Sequence, residues 1–543
     1  MSSWWKERVV YQIYPRSFQD SNGDGIGDIP GIISRLDELR ELGIGIIWLS
    51  PVYKSPDIDN GYDISDYRDI NPKFGTMADM EELFAEAEKR DIKIIMDLII
   101  NHTSDEHDWF KKSRDKDSPY RDYYIWKPAD PDGKPPNNWT SFFVDNAWEF
   151  DPKSGEYYLH LFHEKQPDLN YRNPKVIEEV KEIMHFWMKK GAAGFRCDVI
   201  NIIYKTSFDD GIHRLAVRGR EHFVSQEGAH KILQELRRDV LDHYDCFTVG
   251  ESAFVNLRDA RLLSDPERKE LDMVFYFDHL QVDRIIENYI PKRFKANKLL
   301  DILTKWQQGL DWNAVYLENH DQPRIVSHYG DDKQYRERSA KLLATMLLTL
   351  KGTPFIYQGQ EIGMTNFDFN NIKQVNDVAT LGIDRLLRSY RIPASLRWKL
   401  IKSSSRDNAR TPMQWSAKPG AGFTTGKPWL GINSNYTEIN YQEQKERTGS
   451  VYSFYKNMIL LRASSKTLKY GDFTPVYSSK KVIAYTRTIQ GDEQYAIILN
   501  FSNKPATAPF EDSLIGKVIV TNIGRSDYDG TLSPWEAVVL KVW

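Results

Sequence analysis

The chain has 543 residues, 41% of them hydrophobic and 28% charged, the make-up of a soluble globular protein with room for a large domain and one or two smaller ones. A formal net charge of −4 argues against a phosphate-backbone binder or a basic membrane-surface protein, so a small neutral substrate is expected, with no nucleic-acid and no membrane partner. No run approaches the roughly 18 apolar residues of a membrane span, the start MSSWWKERVVYQIYPRSF has no export-signal pattern, and two cysteines are too few for a disulfide framework, so a cytoplasmic protein is expected. A monomer is the default, with an oligomer left open.

VVYQIYP (9–15) reads as a strand, IISRLDELREL (32–42) as a helix and GIIWLSPV (45–52) as the next strand. MEELFAEAEKR (80–90) predicts a helix and KIIMDLIINH (93–102) a third strand. Strands apolar on both faces, alternating with helices, predict a parallel sheet covered by helices. The segment 103–170, which includes KPADPDGKPPNNW, has no helical period, and an inserted subdomain explains it better than so long a structureless loop. Alternation resumes with VIEEVKEIMHFWMKK (176–190), AAGFRCDVI (192–200) and CFTVGES (246–252). Then come DMVFYF (272–277), NAVYLEN (313–319) and TPFIYQG (353–359), the last two bracketing the helix RERSAKLLATMLLTL (336–350).

Eight strands in such repetition predict an α/β fold, a (β/α)8 TIM barrel, rather than an open sheet. Beyond 465, KVIAYTRTI, YAIILNFS and GKVIVTNI follow one another without helices and predict a C-terminal antiparallel β domain, a β-sandwich. The expected division is a barrel over 1–102 and 171–465, an inserted subdomain over 103–170 and a C-terminal domain over 466–543.

In such a barrel, chemistry gathers at the carboxyl ends of the strands. Those ends carry Asn101 and His102, Arg196 and Asp198, Glu251, and the run Glu318-Asn319-His320-Asp321. An Arg and an Asp two apart in an apolar strand share a face, and buried charge is costly unless it is paired or functional. One such pair is more often a plain ion pair. Several charges interrupting buried strands at the same end need a chemical reason. Splitting a glycosidic bond supplies one, because one carboxylate attacks while another, held protonated, donates to the leaving oxygen. Arg196 is expected to keep Asp198 ionised, and the apolar run before Glu251 to raise its pKa for acid-base work.

DSNGDGIGD (20–28) offers Asp20, Asn22, Asp24 and Asp28 at the opening spacing of a calcium loop, but Gly31 stands where an EF-hand has its bidentate Glu. A structural Ca2+ or Mg2+ is expected there, with Ile26 as a further ligand, against the plain alternative of an Asp-Gly turn capping its own backbone. No cofactor is expected for catalysis.

DLIINH (97–102), GFRCDVIN (194–201), TVGES (248–252) and ENHDQPR (318–324) resemble, in order and spacing, the four signatures of the α-amylase superfamily, glycoside hydrolase family thirteen. YQIYPRSF, NGYDISDY, QPDLN, YQGQEIGM and RDNARTPMQW add resemblance to its oligo-1,6-glucosidase and dextran glucosidase group. The resemblance implies a retaining double displacement with Asp198 as nucleophile, Glu251 as acid and base, and Asp321 as the third acid. It also implies a glucose site built by Tyr62, His102, Phe162, Arg196 and His320, and an Asp59–Arg406 pair that grips the non-reducing end and makes the enzyme exo-acting. Val199, after the nucleophile, accompanies α-1,6 preference in this group.

Cys197, Gln360 and Glu318 depart from the usual pattern without touching a proposed acid. Sucrose isomerases, other sucrose- or isomaltulose-acting α-glucosidases and trehalose-6-phosphate hydrolases share these signatures, yet the arginine-rich loop of the isomerases is replaced here by YFDHLQVDR (276–284). An inactive carbohydrate-binding or transporter-associated subunit would lack an acid, and all three are present.

Overall fold

Val10–Ile13 (β1), Ile46–Leu49 (β2), Lys93–Leu98 (β3), Gly194–Cys197 (β4), Phe247–Glu251 (β5), Met273–Phe275 (β6), Ala314–Val315 (β7) and Thr353–Tyr357 (β8) are short, largely apolar and almost wholly buried in the computed structural model. That model describes residues 3–214, 216–285, 290–508 and 516–542, so 1–2, 215, 286–289, 509–515 and 543 of the expected spans lie outside the described residues. The strands form one sheet in the order β6-β5-β4-β3-β2-β1-β8-β7, every pairing parallel, and β6 meets β7 across the remaining seam. This is a (β/α)8 barrel.

Local signals explain the helices that cover it. Thr76 and Asp79 form a capping box at the start of Met77–Lys89. Asn173 caps Pro174–Lys190, whose first position is the proline a helix start tolerates and whose end is Gly191 in the left-handed region at φ 119°.

Several elements are shorter than the apolar runs that predict them. Leu98 ends β3 because the carbonyls of Ile99 and Ile100 are taken by the hydroxyls of Tyr67 (2.8 Å) and Tyr171 (2.6 Å). Likewise the Tyr316 carbonyl accepts from His279 Nε2 at 2.7 Å, which draws the chain out of the sheet after β7. The helix expected over 32–42 is two, Ile29–Ile33 and Leu36–Leu42, where the Ser34 hydroxyl donates to the Gly31 carbonyl at 2.7 Å.

After β3 the chain builds a small antiparallel sheet from Trp126–Lys127, Trp148–Asp151 and Glu156–Leu159. Near the carboxyl end, Asp472–Ser478 (β9), Val482–Thr488 (β10), Gln494–Asn500 (β11), Lys517–Thr521 (β12) and Ala537–Val542 (β13) make an antiparallel sheet in the order β9-β10-β11-β13-β12. Its residues alternate as a two-faced sheet requires. Ile483, Tyr485, Ile497 and Val539 join the barrel's core, while Val482, Ala484, Ile498 and Val538 form a separate cluster on the other face.

Two buried arginines hold the junction between the barrel and that sheet. Arg462 donates to the carbonyls of Leu350 (2.8 Å) and Leu468 (2.9 Å), and Arg487 of β10 reaches the carbonyls of Thr349, Leu468 and Gly471. Thr349 ends the helix Arg336–Thr349, so a C-terminal strand caps a barrel helix. Among the described residues no helix is long and apolar enough to cross a membrane.

Candidate active site

Strand β4 starts with a glycine for steric reasons. Gly194 has φ 139°, and a Cβ there would stand 1.9 Å from the Phe247 carbonyl oxygen of β5. The close approach sets the parallel register that puts Arg196 beside Asp97 of β3 and Val249 of β5.

Arg196, with a side chain only 1% exposed, holds three carboxylates at once. Its Nη1 lies 2.6 Å from Asp97 Oδ1 and 2.6 Å from Asp198 Oδ1, and its Nη2 pairs with Glu251. The paired charges in GFRCDVIN are thus satisfied by one another and by the two neighbouring strands. Asp97 is fixed in turn by Trp48 Nε1 at 3.2 Å and the Tyr62 hydroxyl at 3.0 Å.

The three acids differ in proton affinity because their surroundings differ. Burial outweighs the attraction of Arg196 and lifts Asp198 to about 6, so the lowered pKa expected from the neighbouring cation is corrected. Asp198 is still mostly ionised at neutral pH. Burial pushes Glu251 further, to about 8, with Asp198 and Asp321 adding to the rise against Arg196. For Asp321 burial is overcome by the cations beside it, which hold it well below the usual carboxylate range. Arg410 Nη2 is 2.5 Å and Arg406 Nη1 3.3 Å from Asp321 Oδ1.

A cavity of about 930 Å3 opens above these acids, lined by Asp198, Glu251 and Asp321 together with Asp59, Tyr62, His102, Phe162, Val199 and Arg406. Arg196 and His320 stand behind this wall, each 1% exposed, and act on it through their neighbours. The Tyr62 ring lies parallel to His320 at 5.2 Å. His102 Nε2 donates to the Tyr62 carbonyl at 3.1 Å, and burial lowers its pKa to about 4, so the ring is neutral. Asp59 Oδ1 is 3.3 Å from Arg406 Nη2.

Some members of this site escape sequence reasoning. Asp97 sits inside the quoted DLIINH, and Arg410 inside RDNARTPMQW, but nothing local says that they reach Arg196 and Asp321. Asp377, 2.6 Å from Arg406, also caps the helix Val378–Ser389, and nothing in the sequence singles it out.

The loop 20–28 lies away from this cavity. Asp20 Oδ1 accepts from the amides of Asn22 (3.0 Å) and Gly23 (2.7 Å), Asn22 Oδ1 from Asp24 (2.8 Å) and Asp24 Oδ1 from Ile26 (2.8 Å). Asp28 caps the helix at Ile29 through Gly31 N (2.7 Å) and takes the Ser21 hydroxyl at 2.8 Å. These are the self-caps of an Asp-Gly turn, yet carboxylate and amide oxygens keep further lone pairs and remain hard donors. Among the described residues no group of three or more His, Cys, Asp or Glu side chains converges as a metal centre.

Three acids of different proton affinity at the strand ends of a (β/α)8 barrel define a hydrolase of glycosidic bonds, and the family model for the α-amylase catalytic domain matches residues 12–471. The chain belongs to the α-amylase family of glycoside hydrolases. It is 50% identical to an oligo-1,6-glucosidase of Parageobacillus thermoglucosidasius, covering 99% of each chain, and 43% identical to a glucan 1,6-alpha-glucosidase of Streptococcus pneumoniae, also over 99% of each. Among solved structures it is similar to the trehalulose synthase of Pseudomonas mesoacidophila MX-45, with a TM-score of 0.96, 42% identity and full coverage of both chains.

Proposed function

We propose that this protein is a retaining, exo-acting α-glucosidase that hydrolyses α-1,6-glucosidic bonds at the non-reducing end of isomalto-oligosaccharides and panose-type sugars. The observation that carries it is the single guanidinium of Arg196 shared by Asp198 and Glu251. Two carboxylates on one guanidinium are close together, and a short separation belongs to the retaining geometry, whereas an inverting pair leaves room for a water between them.

In the first step Asp198 attacks the anomeric carbon while Glu251, protonated through its raised pKa, gives its proton to the departing O6. In the second, Glu251 takes a proton from water, which attacks the same carbon and releases Asp198. Asp321, kept ionised by Arg410 and Arg406, accepts hydrogen bonds from sugar hydroxyls, and the Asp59–Arg406 pair holds the terminal ring. The α-1,6 linkage is supported by the relatives named oligo-1,6-glucosidase and glucan 1,6-alpha-glucosidase.

A rate series on isomaltose, panose, maltose, sucrose, isomaltulose and trehalose-6-phosphate tests the reading. Glucose released fastest from isomaltose and panose is the expected result; a sucrose isomer as main product, or a preferred phosphorylated sugar, sinks it. Val199 is buried on the cavity wall at φ 36°, a left-handed conformation in which one methyl exchanged for a hydroxyl keeps the shape and changes the chemistry. Val199→Thr is expected to raise the maltose-to-isomaltose rate ratio severalfold, and an unchanged ratio assigns the linkage preference elsewhere.

A structural Ca2+ or Mg2+ at 20–28 is part of the proposal, with Asp20, Asn22, Asp24, Asp28 and the Ile26 carbonyl as ligands. Exhaustive chelation is then expected to lower the melting temperature by several degrees with little change in kcat, and no shift identifies a self-capped turn. A cytoplasmic monomer completes the proposal, supported by Cys197 and Cys246 being free and buried.

A further inference from the structure

Phe254, three residues after Glu251, combines two features that stability alone does not favour. Its backbone sits in the left-handed region at φ 54°, which costs a bulky residue free energy that glycine does not incur, and its side chain is 46% exposed. The surrounding structure holds it there. Asn201 grips the preceding residue from both sides, accepting from Ala253 N at 2.9 Å and donating to the Ala253 carbonyl at 2.8 Å. The Arg220 guanidinium lies 4.6 Å from the Phe254 ring. A strained, exposed aromatic that its neighbours over-determine, at the edge of a reactive cavity, is a mark of function.

The ring also ends a row. Phe162, beside His102 at 5.0 Å, stacks on Phe142 at 4.8 Å, and Phe142 stacks on Phe254 at 5.9 Å. All three line the same cavity as the three acids. The row therefore leads from the His102 end of the cavity toward the rim, with Phe254 two ring-steps out from Phe162. Resting on the α-1,6-glucosidase reading, we propose that Phe254 is a specificity-determining platform for the second sugar on the leaving-group side. It contacts the third glucose of a trisaccharide and does not reach a disaccharide, so it favours longer isomalto-oligosaccharides.

The test compares kcat/KM on isomaltose and isomaltotriose for the wild type, Phe254→Gly and Phe254→Tyr. In Phe254→Gly the isomaltotriose-to-isomaltose ratio is expected to fall roughly three- to tenfold, the worth of one aromatic contact, mainly through KM. The melting temperature is not expected to fall, because glycine relieves the left-handed strain. Phe254→Tyr should restore the ratio. An unchanged ratio in Phe254→Gly, or equal losses on both sugars with a lowered melting temperature, overturns the inference and leaves the α-1,6 reading intact. A wild type inactive on both sugars overturns the two together.

Discussion

Asp198→Asn is expected to lower kcat on isomaltose by roughly 10^4-fold or more, the scale seen when a covalent nucleophile is removed from an otherwise intact site. The fold should survive. Arg196 keeps Asp97 and Glu251 as partners, and a neutral amide is cheaper to bury than the carboxylate whose pKa burial lifts to about 6. The melting temperature at neutral pH should therefore hold or rise. The same lifted pKa gives the wild type its acid limb: kcat/KM falls as the pH drops through about 6 and Asp198 takes up a proton. Because Asp198 and Glu251 share a cation, the two limbs belong to the pair as coupled steps. A residual rate within tenfold of wild type would falsify the nucleophile assignment.

Glu251→Gln separates its two duties by leaving group. Isomaltose departs through a poor leaving group that needs the proton of Glu251, so its hydrolysis should drop by roughly 10^3-fold or more, at the upper end of what acid-base catalysis supplies. A nitrophenyl α-glucoside departs without help, and the first step on it should lose far less. The wild-type profile should fall above about pH 8, where Glu251 loses its proton, and that limb should vanish in the variant on the activated substrate. Equal losses on both substrates would instead mean that Glu251 only positions Arg196.

Much of the site is legible in the sequence because its chemistry interrupts apolar strands. Asp198 and Glu251 fall at or just beyond strand ends, where a charge has no reason to be unless it is paired or used. What is hidden is partnership over distance. Asp97 looks like one charge in a buried strand until the parallel register sets it against Arg196, 99 residues later. Arg410 reaches Asp321 across 89 residues, from the end of a helical turn too short to show a period. The balance between burial and Arg196 at Asp198 is equally hidden, since it depends on how completely three strands shut out water. Strand ends are overestimated for a related reason: apolar residues continue past β3 and β7, but side-chain groups from elsewhere take their carbonyls. Phe254 gives no sequence signal, because a left-handed backbone at a phenylalanine is imposed by Asn201 and its other neighbours.

The Arg487 cap bears on how the chain is made. The first barrel strand pairs with β8, Val10 against Phe355, and the helix just before β8 receives its carbonyl caps from residues 462 and 487. During synthesis the amino-terminal strands leave the ribosome long before the partners that close their sheet, and the last caps arrive only with the C-terminal strands. Truncation after the barrel would yield not a smaller enzyme but a chain whose Thr349 carbonyl has lost Arg487, with an uncovered apolar face where Tyr485 and Ile497 belong. The carboxyl-terminal strands are in this sense the final quality check on the catalytic barrel, and the amino-terminal segments must be kept from aggregating until they arrive.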